Sequence, residues 1–157
     1  MATLLQHFEV LISAWTERKD IDGVLACMTD EVIWHPAVAV MPPVVGKAAV
    51  RSTLERLGGL VARSEWRIVR SAESGNVLFV EGVDANELTS GVRAEVPYAG
   101  VLEFEGDRIC AWRDYLDGGL FRGAMNGEAP PDFVGELLSA SASASAPASA
   151  SASASAS

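Results

Sequence analysis

Cysteine and histidine are scarce in this sequence: Cys27, Cys110, His7 and His35 are all that 157 residues contain. No two of them stand at a metal-binding spacing, and a chain of this size builds a core without a disulfide. Both thiols are therefore read as reduced core residues. Positive charge is short as well, with 12 Lys and Arg against 21 Asp and Glu and a formal net charge of −9. A surface of that sign does not hold a phosphate backbone, so no nucleic acid partner is expected. No apolar run reaches the roughly 18 residues of a membrane span, and the N-terminus lacks the basic flank and continuous apolar centre of a signal peptide. The expectation is a cytoplasmic protein with no membrane partner. Glycine-rich phosphate loops and nucleophile elbows are missing too, and no cofactor is expected.

What is present divides into a folding unit, 1–138, and a segment, 139–157, made only of Ser, Ala and one Pro. The segment has no side chain that buries enough area to offset the entropy of ordering, and reads as a disordered tail. Within the unit, Thr3 and Gln6 form a capping box, and Leu4, Leu5, Phe8, Leu11, Ile12 and Trp15 make one helical stripe to about Arg18. Asp20 caps a short second helix through Met28, and Val32, Ile33 and Trp34 read as a strand ended by Pro36. The loop from Pro36 to Gly46 is apolar, as a flap over a cavity or a segment packed on the helices would be. Lys47 to about Ala62 returns to helical spacing.

Only strands follow: Glu65 to Ser71, Asn76 to Leu88, Arg93 to Phe104 and Arg108 to Leu116, separated by Gly-containing turns. Helices first and a meander afterwards predict an α+β fold, with three helices on one face of a curved sheet and a pocket between. Gly118 to Leu138 is expected to hold a last short helix near the pocket mouth.

Period-two alternation selects the residues that face this pocket. Gly82, Asp84 and Asn86 share one face of their strand, and Asp114 shares a face with Trp112 and Leu116. Two mid-strand aspartates aimed at one apolar cavity cannot both ionise easily, so one keeps a proton and serves as acid while the other serves as base. A salt bridge to an arginine at the sheet edge is the structural alternative. His35 is placed at the cavity rim as a further acid or base, or as a packed, hydrogen-bonded residue. Trp34, Leu54, Phe79, Trp112 and Leu116 are read as substrate-binding wall, and Tyr98 as lending a hydroxyl.

These residues resemble a known family, the limonene-1,2-epoxide hydrolases, within the SnoaL-like, nuclear-transport-factor-2-like group that includes ketosteroid isomerase and polyketide cyclases. Trp112-Arg113-Asp114-Tyr115-Leu116-Asp117 resembles the family's W-R-D-Y-F-D segment, and Glu81-Gly82-Val83-Asp84 its E-R-V-D segment. Trp34-His35-Pro36 with the Pro42-Pro43 turn resembles its Pro-rich turn. The likeness spans most of 1–122 and implies a cone-shaped, cystatin-like fold with a mixed sheet, a small apolar epoxide as substrate, and a homodimer. By position it implies that Asp114 is the base and Asp84 the acid. Val83, Ala85, Ala99 and Val101 on the outer face would suit the dimer contact.

Three positions depart from that pattern. Gly82 stands in place of an arginine, Trp34 in place of a water-holding tyrosine, and Pro36 near an asparagine. A pocket that keeps acid and base but loses these partners suits a nucleophile within the substrate unless His35 or Tyr98 holds the water. The resemblance to ketosteroid isomerase is weaker, since Ile12 and Gly100 fall at its oxyanion positions. Epoxide hydrolysis is therefore the leading expectation. An isomerase, cyclase or dehydratase acting on a polyketide-type ring comes second, and a binding module without catalysis third.

Overall fold

In the computed structural model, which describes residues 1–140, Thr3 caps α1 (Leu4–Arg18) as its spacing to Gln6 predicts. The Gln6 amide donates to the Thr3 hydroxyl at 3.1 Å, and the Thr3 amide donates to the Gln6 side chain at 2.8 Å. Two of the orphan N–H groups of a helix start are thereby satisfied. Asp20 accepts from the Gly23 amide and starts α2 (Ile21–Ala26). The third helix, α3 (Lys47–Leu60), stops short of Ala62 because Val61 already pairs with Leu88.

The strands are β1 (Met28–His35), β2 (Val44–Val45), β3 (Val61–Ser74), β4 (Val77–Leu88), β5 (Arg93–Glu105) and β6 (Arg108–Tyr115). They form one sheet in the order β2-β1-β6-β5-β4-β3. The meander β3 to β6 is antiparallel, whereas β1 lies parallel to β6, so the sheet is mixed. Strand β3 is longer than its alternation suggests, because it pairs with β4 from end to end. The two-residue β2, unforeseen after Pro42-Pro43, pairs with β1.

The core lies between the helices and the inner face of the sheet. Phe8, Leu11 and Trp15 of α1 and Val50 and Leu54 of α3 pack with Leu78, Leu102 and Trp112 of the strands. Burying each of these side chains contributes about 1.5–3 kcal/mol.

The expected last short helix is replaced by three pieces: α4 (Gly118–Met125), a 3-10 turn (Asp132–Val134) and α5 (Gly135–Ser139). Helix α4 stays on the inner face, with Ala124 against Ala94 and Val96. The chain then crosses to the outer face, where Val134 and Leu138 cover Val83 and the Arg67 guanidinium donates to the Leu138 carbonyl at 2.5 Å. This corrects the expected dimer surface. Val83 and Ala85 are already buried by their own chain, while Ala99 stays exposed.

Ser139 closes α5, and the remainder of the expected tail, 141–157, lies outside the described residues. Among the described residues, no helix is long and apolar enough to cross a membrane.

Candidate active site

The register of the meander brings the two aspartates onto one wall. Gly82 stands opposite Tyr98 and Asp84 opposite Val96 across β4 and β5, while Gly100 stands opposite Asp114 across β5 and β6. All of these positions fall on the inner face, where a cavity of about 310 Å³ opens between the sheet and helices α1, α3 and α4. Asp84, Asn86, Tyr98 and Asp114 supply its polar surface deep inside, with Trp15, Trp34, Trp66 and Trp112 around them. Leu54 and Leu116 line it as expected, and Pro36 and Met41 of the apolar loop reach it as a flap would.

Trp112 is the centre of the aromatic wall. Its ring lies 5.3 Å from Phe8 and 5.9 Å from Trp66 in edge-to-face contacts, and 5.5 Å from Trp34 in a stacked one. These arrangements lock the indole, and its Nε1 donates to Asp114 Oδ1 at 2.8 Å.

Beside Asp84, Asn86 Nδ2 donates to its Oδ1 at 2.8 Å, and the buried Ser64 hydroxyl donates to Asn86 Oδ1 at 2.7 Å. The salt bridges among the described residues involve neither aspartate, which removes the edge salt-bridge alternative.

Carboxyls in such surroundings hold their protons. Burial pushes Asp84 up to about 6 against the donors Asn86 and Trp66. Burial also raises Asp114 well above the usual carboxylate range, opposed by the Trp112 N–H and reinforced by the charge of Asp84. The two titrate as a pair that keeps one proton near neutrality. Tyr98 is raised by burial and then by Asp114 and Asp84, so its hydroxyl remains a neutral donor.

Two mid-strand glycines make room for that tyrosine. A Cβ at Gly82 would lie 2.9 Å from the Tyr98 ring and 2.5 Å from the Arg67 carbonyl oxygen. One at Gly100 would lie 2.8 Å from Val80 and 3.1 Å from Asp114. The tyrosine ring therefore packs against Gly82, where the resembled family has its arginine.

Two expected site residues are elsewhere. His35 follows the inward Trp34 in an alternating strand, pairs opposite Arg113, and does not line the cavity. Phe79 shares the parity of Glu81 and Val83, so it projects from the outer face, 45% exposed. Conversely, Asn86 and Ser64 received no role from the sequence. Asn86 lies two residues beyond Asp84 on the same face, and that spacing was the available signal.

The family model of the SnoaL-like domain matches residues 8–112, and the chain belongs to that family. Its fold is shared by an LEH-like epoxide hydrolase of M. tuberculosis, 27% identical with a TM-score of 0.68 over 79% of this chain and 90% of that one. A putative isomerase of Bacillus subtilis is 18% identical, with a TM-score of 0.68 over 80% of this chain and 94% of that one. A putative polyketide cyclase of Xanthomonas campestris is 17% identical, with a TM-score of 0.67 over 77% and 96%. These last two similarities concern the fold. No curated protein matches the sequence at a significant level.

Proposed function

We propose that this protein opens the epoxide of a small apolar molecule by acid–base catalysis between Asp84 and Asp114, without a cofactor. The observation that carries the reading is the pair itself: two carboxyls in one largely apolar cavity, both raised, and neither in an ion pair among the described residues, although Arg56 also lines the cavity. Near neutral pH an ionised carboxylate then shares the cavity with a protonated carboxyl. The carboxylate takes a proton from water as the water oxygen bonds to an epoxide carbon. The carbon–oxygen bond of the ring breaks, and the protonated carboxyl gives its hydrogen to the departing oxygen. Tyr98 offers a further neutral hydrogen bond to that oxygen. The 27% identity to an LEH-like epoxide hydrolase supports the same reading.

Diol formation from limonene oxide and cyclohexene oxide in oxygen-18 water tests it. Label is expected in the diol, and Asp84→Asn and Asp114→Asn should each lower turnover by about 100-fold or more. A folded protein that opens no epoxide would sink the reading.

A second reading has its own support. Gly82, Trp34 and Pro36 stand where the resembled family places an arginine and two water partners, and a site so altered suits a nucleophile carried by the substrate. The same aspartate pair would then serve an isomerase or cyclase, without His35, which lies outside the cavity. Unlabelled, isomerised product would favour it. Tight binding of an apolar ligand that neither Asp→Asn change affects would instead indicate a binding module.

A further inference from the structure

The geometry points to an inverted pair: Asp84 is the base, Asn86 holds the water that it activates, and Asp114 is the acid. The inference rests on the epoxide-opening reading and reverses the order that the family resemblance implies.

Among the described residues, the side-chain amide of Asn86 is the only one on the cavity lining. Ser64 donates to its oxygen and one of its N–H bonds points to Asp84, so the amide orientation is fixed from both ends. The second hydrogen of the same Nδ2 has no acceptor among the described residues. A water held there lies next to the Asp84 carboxylate, which accepts its proton.

The surroundings of Asp114 hold no side-chain amide of this kind. Its neighbours are the indoles of Trp112 and Trp34, each with one N–H and no acceptor. The Trp34 Nε1 is buried and satisfies no hydrogen bond. The positions at which the resembled family keeps water partners, Trp34 and Pro36, are apolar walls on the Asp114 side. A buried corner walled by indoles disfavours a charge more than their N–H groups favour it, and keeps a proton on Asp114.

In the reaction so assigned, the O–H bond of water breaks toward Asp84 as the new C–O bond forms. The ring C–O bond breaks, and its oxygen takes the Asp114 proton. A proton passed from Asp84 back to Asp114 restores both groups, with no other reactant consumed.

Azide separates the two roles, because an anionic nucleophile needs no base but its epoxide still needs an acid. In Asp84→Asn, added azide is expected to restore opening of cyclohexene oxide, as the azidoalcohol, at least 10-fold above the water reaction. In Asp114→Asn it should restore nothing. Asn86→Ala should lower diol formation by about 10- to 100-fold while leaving azide opening near wild type, a split that a merely structural role would not produce. Rescue of Asp114→Asn, or of both variants, overturns the proposal.

Carbon-13 titration of the aspartate carboxyls in the full chain, assigned by the same variants, needs no substrate. Asp84 ionising at lower pH than Asp114 is expected, and the reverse order overturns the inversion whatever the wild type turns over. A wild type that opens no epoxide refutes the function reading instead.

Discussion

At the scale of single residues, the aspartate pair is a cost to the fold. Asp84 is raised by burial from the model-peptide value of 3.8 to about 6, so between those values the folded protein keeps a proton that the unfolded chain has released. Stability therefore falls as pH rises across that window, because the native state binds more protons there. Asp84→Asn removes the ionisation while keeping the shape. Calorimetry is expected to show the variant melting a few degrees above wild type at pH 7 to 8 and level with it near pH 4, and an equal Tm difference at both would refute the linkage. Parity in the sequence was enough to find this pair, since Asp84 and Asp114 each share a strand face with core residues. The same rule, followed through, also places His35 and Phe79 outside, because each alternates with an inward neighbour. What parity does not supply is partnership. That Ser64 orients Asn86 and Asn86 orients Asp84 depends on the β3–β4 register, in which Ser64 stands opposite Asn86.

At the scale of elements, strands β4 and β5 are shaped around one ring. Gly82→Ala would drive a methyl group into the Arg67 carbonyl and the Tyr98 ring, with backbone on one side that has no rotamer to escape by. A destabilisation of about 1–3 kcal/mol is expected in urea melts. Tyr98→Phe keeps the ring in its place and removes only the hydroxyl. Its kcat on the epoxide is expected to fall about 10-fold with KM little changed, and a changed KM with constant kcat would reduce Tyr98 to a wall. The elements that the sequence concealed are those without period. Strand β2 is two residues long, and the 3-10 turn with α5 fills too few turns for a stripe to register, although Val134 and Leu138 are anchored as firmly as core. Helices α1 and α3 and the meander, with their long periodic stripes, were legible, while the six-residue α2 showed only through its Asp20 cap and ends at Ala26, before the Met28 to which the sequence extended it.

At the scale of the whole molecule, the C-terminal segment decides what the outer face offers. With Val83 and Ala85 covered, a second copy of the chain would have to meet Ala99 together with Tyr115, 46% exposed, and Phe79. Sedimentation velocity is expected to give a dimer mass for wild type and a single-chain mass for Tyr115→Arg, and a monomeric wild type would refute that contact. The parallel pairing of β1 with β6 has a different consequence, one of timing. The first strand to leave the ribosome finds its main sheet neighbour only when the last strand arrives, nearly a domain length later. Contacts of such long range form slowly, because the intervening chain must be closed into a loop first. Since β6 also carries Trp112 and Asp114, the cavity acquires that wall in the same late event that completes the sheet. A nascent or refolding chain thus passes through a stage with helices and hairpins in place and no working site.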